Sequence, residues 1–168
     1  YVMTYAIDNM TDNMEPGITA WSRDVYEKQL CERMAKVGFP IFQYGNFKKY
    51  NAPESGFVAD TFDPRYSQGY AAAHNRPALL IENHIYKPYK QRVEATIEAL
   101  IATARIMAEN KASLQKAVAE ADAFNSSPAW REQPFGFQYK ATDEVSFEAD
   151  YLSWGRDTCI SDLSGAEW

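Results

Sequence analysis

The chain has few cysteines, which excludes most cysteine chemistry. It contains two among 168 residues, Cys31 and Cys159, with no C-x-x-C motif and no spacing typical of metal ligands. The sequence therefore predicts neither a cysteine zinc site nor a redox pair. Two buried free thiols are one interpretation, and a disulfide in an exported protein is the other; the sequence does not decide between them.

The chain also lacks an excess of basic residues and a long apolar run. It has 17 Lys and Arg against 23 Asp and Glu, a formal net charge of -6. Binding a polyanion needs a basic face that displaces counterions, so we expect no nucleic-acid partner. The densest basic group, Lys87, Lys90 and Arg92, favours the solvated first turn of a helix. No stretch approaches about eighteen continuous apolar residues, so we expect no membrane span.

What the chain does contain indicates a folded core. Hydrophobic residues make up 46% of it and aromatic residues 14%, which is far from the composition of disordered chains. Its length favours one domain or a large part of one. It begins Tyr1-Val2-Met3 without an initiator methionine or signal peptide, so we expect it to be a piece of a longer protein.

Hydrophobic periodicity and turn residues predict an order of elements along the chain. Continuous apolar residues predict a strand buried on both faces, and one long apolar stripe predicts a helix broken near Asn110. The predicted elements are a strand at 1–7, a helix at 18–37 with Gly38 as its C-terminal stop, a strand at 39–44, a loop at 45–70, a buried strand at 77–82, a long helix at 88–124 and a β hairpin at 134–154.

These elements predict an α/β fold. We expect a partial three-layer α/β/α sheet with a long C-terminal helix, followed by a small β hairpin. The one candidate boundary lies near Ser126. It would separate an α/β part, residues 1–125, from a β-rich appendage or the start of the next domain, residues 126–168.

One carboxylate is the best candidate for chemistry. Glu82 ends the predicted buried strand. Burying a charged carboxylate there costs several kcal/mol of folding free energy unless the carboxylate is paired, hydrogen-bonded or used in function. The ends of strands are also where sites gather in α/β sheets. Period-two geometry places Glu82 and His84 on the same face of the strand. The alternative is a structural ion pair between Glu82 and a nearby Arg or Lys.

A longer segment around Glu82 carries a resemblance. RPALLIENHIYKPYKQRVEAT, residues 76–96, preceded by Gly69-Tyr70 and Asn75, resembles the end of the catalytic domain in bacterial members of the carboxypeptidase A-like zinc peptidase family. In that family a buried strand delivers a general-base glutamate, and K-P-Y-K-x-R-V-x-A-T opens the last long helix. The similarity is strong over about residues 66–100.

The resemblance assigns roles to single residues. Glu82 corresponds to the glutamate that activates the attacking water and passes its proton to the leaving amine. His84 corresponds to a histidine that orients this glutamate, with simple packing as the alternative. Arg65, Tyr70 and Arg76, together with Tyr66, fall where the family's substrate cleft is bordered. They are candidates for binding a peptide C-terminus, although a structural ion pair is the alternative for either arginine.

The metal ligands of the family are absent. Its zinc is held by H-x-x-E and a later His, because catalytic zinc needs three protein ligands. This chain has two histidines and no H-x-x-E. The resemblance therefore implies zinc in an intact parent enzyme that cleaves C-terminal residues from peptides, and none in this chain, which we expect to be inactive alone. It also implies a periplasmic or secreted parent.

Two other functions stay open. In the first, the chain is a non-catalytic module whose 45–70 loop and predicted hairpin bind a peptide or a glycan. In the second, His74, Glu82 and His84 form a metal site of their own. If the chain is a fragment of the peptidase domain, the cut sheet exposes a strand edge, which predicts a homodimer through that edge.

Overall fold

The structure is a computed structural model that describes residues 2–8, 14–50, 52–59 and 61–132; of Trp130 only the backbone is described. The chain forms two compact units. The first comprises Tyr1–Gly45 and Ala59–Lys140, and the second comprises Asn46–Val58 and Ala141–Trp168. Strands and helices both build the first unit, so the α/β class is confirmed.

The first unit begins with a strand and a long helical run. β1 is Met3–Ala6. The run comprises α1 (Pro16–Trp21), a π-helical segment (Ser22–Glu27) and α2 (Lys28–Lys36). It starts two residues before the predicted helix, because the Glu15 carboxylate accepts hydrogen bonds from the N–H groups of Gly17 and Ile18.

The helical run ends at Gly38, as the sequence predicts. Gly38 has a φ of +84°, which glycine adopts without steric cost. Its N–H donates to the carbonyl of Ala35, and the N–H of Phe39 donates to that of Met34. These two bonds form a Schellman motif, which satisfies carbonyls that the helix end would otherwise leave unpaired.

The prediction of a loop over residues 45–70 is wrong. β2 is Phe42–Gln43, and it is followed by β3 (Gly45–Lys49) and β4 (Ala52–Ala59), which pair with each other. Phe47 and Phe57 pack edge to face across this second sheet. α3 then spans Ser67–Ala73. Aromatic residues such as Phe47 and Phe57 interrupt the alternation of polar and apolar residues in the sequence, and they pack the two strands together.

The remaining elements follow the predicted order. β5 is Leu80–Asn83, α4 is Tyr89–Glu109, α5 is Lys111–Asn125, and a 3₁₀ turn spans Pro128–Glu132. The break at Asn110 is confirmed; its side-chain amide donates to the carbonyl of Ile106. The predicted hairpin at 134–154 and the thiol of Cys159 lie outside the described residues, and the boundary near Ser126 stays a prediction.

β1 is the central strand of a three-stranded sheet. It pairs with β2 in parallel and with β5 antiparallel, in the order β2-β1-β5. Met3 and Tyr5 face a core in which Leu30 and Met34 of α2 pack against α4. Burying each such side chain stabilises the fold by about 1.5–3 kcal/mol. No helix within the described ranges has the length and apolarity needed to cross a bilayer.

One prediction about burial is wrong: among the described residues β5 is an edge strand with half-buried and exposed residues, not a strand buried on both faces. In the predicted apolar stripe, the large aliphatic residues of α4 are exposed, whereas the core contacts come from Ala95, Ala99, Ala102 and Ile106. In both cases the sequence shows apolar content, but the neighbours decide which face is covered.

We predict that Gly69→Ala destabilises the protein. A β-carbon at Gly69 would lie 2.7 Å from the carbonyl oxygen of Phe62, a backbone atom that cannot rotate away. We expect a loss of at least about 2 kcal/mol in the free energy of unfolding, measured by denaturant titration.

Gly17→Ala is the matched control for this change. Gly17 is also helical, but the atom closest to its added β-carbon is Oε2 of the Glu15 side chain, which can move. An equal loss in both variants would show that the close approach at Gly69 is not the cause.

Candidate functional site

Glu82 lies on the outer face of the three-stranded sheet. It pairs with Thr4 across the β1–β5 ladder, and its neighbour Ile81 pairs with Tyr5. Because side chains alternate along a strand, Tyr5 and Ile81 face the helical core while Glu82 faces the other way. The structure thus places Glu82 at the end of β5, as the sequence predicts.

The surroundings of Glu82 differ from the expected ones. Its side chain is exposed, and with the residues that the structure describes it forms no hydrogen bond and no ion pair. The structural ion pair that was the alternative role for Glu82 is therefore not formed among those residues. Its carboxylate is accessible to water and to a ligand.

A set of hydrogen bonds fixes the connection between Glu82 and α4. The side-chain amide of Asn83 donates to Oγ1 of Thr96 over 2.9 Å. Oγ1 of Thr96 in turn donates to the carbonyl of Arg92, and Nε of Arg92 donates to the carbonyl of Lys87. These residues belong to the segment that carries the family resemblance. Asn83 follows Glu82 directly and anchors the end of β5 to the second turn of α4.

The structure does not bring His84 to Glu82. Nδ1 of His84 accepts a hydrogen bond from the backbone N–H of Tyr86, and the two rings lie 5.4 Å apart. The backbone N–H of His84 donates to the carbonyl of Val2, which extends the pairing of β5 by one residue. His84 therefore orders the loop after Glu82 rather than the carboxylate itself.

Arg65 and Tyr70 each contact a residue that is close in sequence. Nη2 of Arg65 donates to the hydroxyl of Tyr66 over 2.8 Å, and its guanidinium lies over the Tyr66 ring. The ring of Tyr70 packs on that of His74 with centroids 4.4 Å apart. Arg65 and Tyr70 are both exposed. Both side chains are open to a ligand, and their predicted roles in substrate binding stay predictions.

Arg76 forms an ion pair with α5. Nη1 and Nη2 donate to the two carboxylate oxygens of Asp122 over 2.9 and 2.8 Å. The Arg76 guanidinium lowers the pKa of Asp122 through this hydrogen bonding. Arg76 thus joins the segment before β5 to the last long helix, which is the structural alternative to substrate binding.

The residue before Arg76 has a structural role that sequence reasoning missed. Asn75 is buried and has a positive φ of 53°. Its Oδ1 accepts a hydrogen bond from the backbone N–H of Glu15. Asparagine tolerates this backbone conformation better than most residues, which offers a physical reason for N-R at this point of the chain.

The described residues do not fit a zinc ion. No group of three His, Cys, Asp or Glu among them, His74, Glu82 and His84 included, could hold a metal. Nδ1 of His74 lies 2.8 Å from the carbonyl of Tyr70. The arrangement of the described residues therefore gives no support to a metal site built from His74, Glu82 and His84.

A buried polar cluster lies on the other face of the sheet. The Tyr5 hydroxyl donates to the Glu27 carboxylate over 2.7 Å, and the Cys31 thiol donates to the Tyr5 hydroxyl over 3.6 Å. Desolvation by burial raises the pKa of both Tyr5 and Cys31. Neutral tyrosine and thiol groups next to the core make this cluster a structural link between β1 and the helical run.

Comparison of the chain with family models, curated proteins and solved structures gives no match. The resemblance to zinc carboxypeptidases is therefore supported only by the residues quoted above.

We predict that Asp122→Asn lowers the melting temperature at neutral pH by up to about 4 °C, because the exposed pair with Arg76 contributes modestly. The pKa of Asp122 is below its ordinary value in the folded state, so the pair stabilises above that ordinary value and is lost as pH falls through the lowered pKa. The difference from wild type should therefore shrink below about pH 4.

Glu120→Gln is the control, since Glu120 pairs with Lys116 within α5 alone. Thermal melts across the pH range test both variants. A difference between Asp122→Asn and wild type that stays constant down to pH 2 would contradict the assigned ion pair.

We also predict that Cys31 reacts slowly with alkylating reagents. Its raised pKa and partial burial reduce the thiolate that the reagent can reach. Peptide-resolved mass spectrometry should show labelling at pH 8 at least about tenfold slower than in the denatured chain. Equal rates in the folded and denatured chain would contradict this placement of Cys31.

Proposed function

We propose that the chain is the C-terminal part of a zinc carboxypeptidase-like domain in which Glu82 is the general base. One observation carries the proposal: the carboxylate at the end of β5 is exposed and unpaired among the described residues. A carboxylate used only for structure would gain from a partner, whereas a general base needs access to the proton that it accepts.

The chemistry of Glu82 follows from this exposure. A carboxylate at this position can accept a proton from a water molecule that attacks a peptide carbonyl. It can then return the proton to the amine that leaves. A positioned general base contributes roughly 10²- to 10⁴-fold to a reaction rate.

The hydrogen bonds around Asn83 support the proposal. A general base acts only within about 2.6–3.2 Å of the proton that it abstracts, so the end of its strand must be held in place. Asn83 and Thr96 hold it to α4, and Arg92 holds the loop through Lys87. Three of these four residues, Lys87, Arg92 and Thr96, lie in the K-P-Y-K-x-R-V-x-A-T stretch, so the motif has a positioning role.

The proposal assigns the zinc ligands to residues other than the described ones. The described residues do not fit the metal, so its ligands would belong to a part of the protein that this structure does not describe. In an intact parent with such ligands, the expected substrate is a peptide with a free C-terminus, and the parent is an exported enzyme. Arg65 is a candidate for binding the terminal carboxylate, because Arg76 already binds Asp122.

A second function is favoured by a different observation. Tyr86, in the loop after Glu82, and Tyr89, the first residue of α4, are 73% and 75% accessible. Exposed aromatic rings in one short segment suit a module that binds a peptide or a glycan without cleaving it. Such a module would need neither zinc nor a general base.

We predict that the purified chain neither retains stoichiometric zinc nor cleaves peptides. Metal analysis after dialysis and an assay with C-terminally blocked and free peptides measure both properties. Tight zinc at one ion per chain together with turnover of free peptides would contradict the missing ligand set.

Glu82→Gln tests the base in the full-length natural protein. We expect kcat to fall roughly 10²- to 10⁴-fold with little change in KM or in bound zinc. Glu32→Gln, which removes an exposed carboxylate from α2, is the matched control and should leave kcat unchanged. If Glu82→Gln keeps kcat within about threefold of wild type, Glu82 is not the base.

The same protein distinguishes the second function. A full-length protein without peptidase activity that binds peptides or oligosaccharides, and loses this binding on replacement of Tyr86 and Tyr89 by Ala, is a binding module.

A further inference from the structure

α4 carries two apolar faces. The small residues Ala95, Ala99 and Ala102, with Ile106, pack on the core of the first unit. With 100° between successive residues, Val93, Ile97, Leu100 and Ala104 lie on the opposite side of the helix. A helix that is apolar on opposite sides is typical of one covered on both.

The second face is exposed in this structure. Val93, Ile97, Leu100 and Ile101 are 38%, 49%, 60% and 39% accessible. The residues from Val93 to Ala104 extend over about 17 Å of helix, a length sufficient for a helix-helix contact. We define this aliphatic face by Val93, Ile97, Leu100, Ile101 and Ala104. Contiguous apolar surface of this kind marks an interaction site.

One flank of the aliphatic face has an uneven charge. Glu94 and Glu98 lie toward the N-terminus of α4, and Arg105 lies toward its C-terminus. Arg105 borders a shallow groove between α2 and α4, and Lys36 of α2 lines the same groove. Neither Arg105 nor Lys36 forms an ion pair with a residue that the structure describes. Lys90 pairs with Glu94 at the first end, and Arg33 pairs with Glu109 at the second. Glu98 therefore leaves the first end acidic, and Arg105 and Lys36 leave the second end basic.

We propose that two copies of this chain associate through their aliphatic faces, with the two α4 helices antiparallel. A twofold axis perpendicular to the helices places the charged flanks of the two copies side by side and running in opposite directions. The acidic end of each flank then meets the basic end of the other, which gives two equivalent charge contacts. A parallel arrangement would bring this flank against the opposite flank, where Arg92 already donates to the carbonyl of Lys87 and where α4 offers Arg105 no carboxylate.

The register follows from the apolar residues. Placing Ile97 of one copy beside Leu100 of its partner puts Val93 opposite Ala104. Glu94 then lies within one helical turn of Arg105 in the other copy. Among the described residues, the Glu94 carboxylate pairs with Lys90 over 3.7 Å. Because such an exposed pair contributes little, Glu94 can pair with Arg105 of the other copy instead.

The surface differs from the predicted dimer contact. The sequence predicts association through an exposed sheet edge, whereas the aliphatic face lies on a helix. The inference does not depend on the proposed function, since Glu82 and its chemistry are not part of the contact.

Light scattering on the purified chain tests the association. We expect a dimer at about 100 μM that dissociates on dilution, as a helix-helix contact of modest size would. Ile97→Glu and Leu100→Glu should each give a monomer with an unchanged circular dichroism spectrum, because both positions are already exposed. Ile85→Glu is the matched control, since Ile85 is 73% exposed outside α4, and it should remain dimeric.

A charge swap tests the orientation of the helices. Glu94→Arg and Arg105→Glu should each weaken the dimer by at least about fivefold, and the double variant should restore most of the affinity. Weakening without restoration would overturn the antiparallel register.

The association itself has a separate decisive outcome. A chain that is monomeric at about 100 μM, or a dimer that survives both Ile97→Glu and Leu100→Glu, would overturn it. A monomer whose α4 is protected from hydrogen exchange along Val93 to Ala104 would identify another occupant, such as a different segment of this chain.

Discussion

The pairing of β1 with β5 is the interaction on which the rest of the described first unit depends. β1 is the central strand, and its Met3 and Tyr5 contribute to the core that α2 and α4 complete. β1 pairs with β5 on one side, and the Asn83–Thr96 hydrogen bond holds the end of β5. Because register fixes which residues face outward, this one ladder both turns the half-buried Ile81 toward the core and exposes Glu82.

The position of Glu82 has a simple physical basis. Moving a carboxylate into a core costs several kcal/mol, and the alternation of side chains along β5 avoids that cost by placing it on the outer face. The hydrogen bonds from Asn83 and Arg92 then limit the motion of the strand end and of the loop that follows. The chain thus combines an accessible carboxylate with a hydrogen-bonded support, which is what the proposed general-base role would require.

The two faces of α4 concern assembly rather than chemistry. Small side chains let the helix approach its own core closely, while the larger aliphatic ones remain on the opposite side. The apolar area left in water on that side favours association, and the uneven charge on its flank selects a direction for the partner.

The sequence by itself determined the order of most elements, the helix stop at Gly38, the break at Asn110 and the position of Glu82 at the end of a strand. These features depend on local rules, namely the φ freedom of glycine, side-chain capping and hydrophobic periodicity. The sequence also places Asn83 next to Glu82, and neighbouring side chains in a strand lie on opposite faces. The inward position of the Asn83 side chain could therefore have been predicted. Only the tertiary structure decided that β5 is an edge strand among the described residues, that Arg76 binds Asp122 and that the larger apolar face of α4 is exposed. Each of these depends on residues far apart in sequence, and periodicity shows that a face is apolar without showing what covers it.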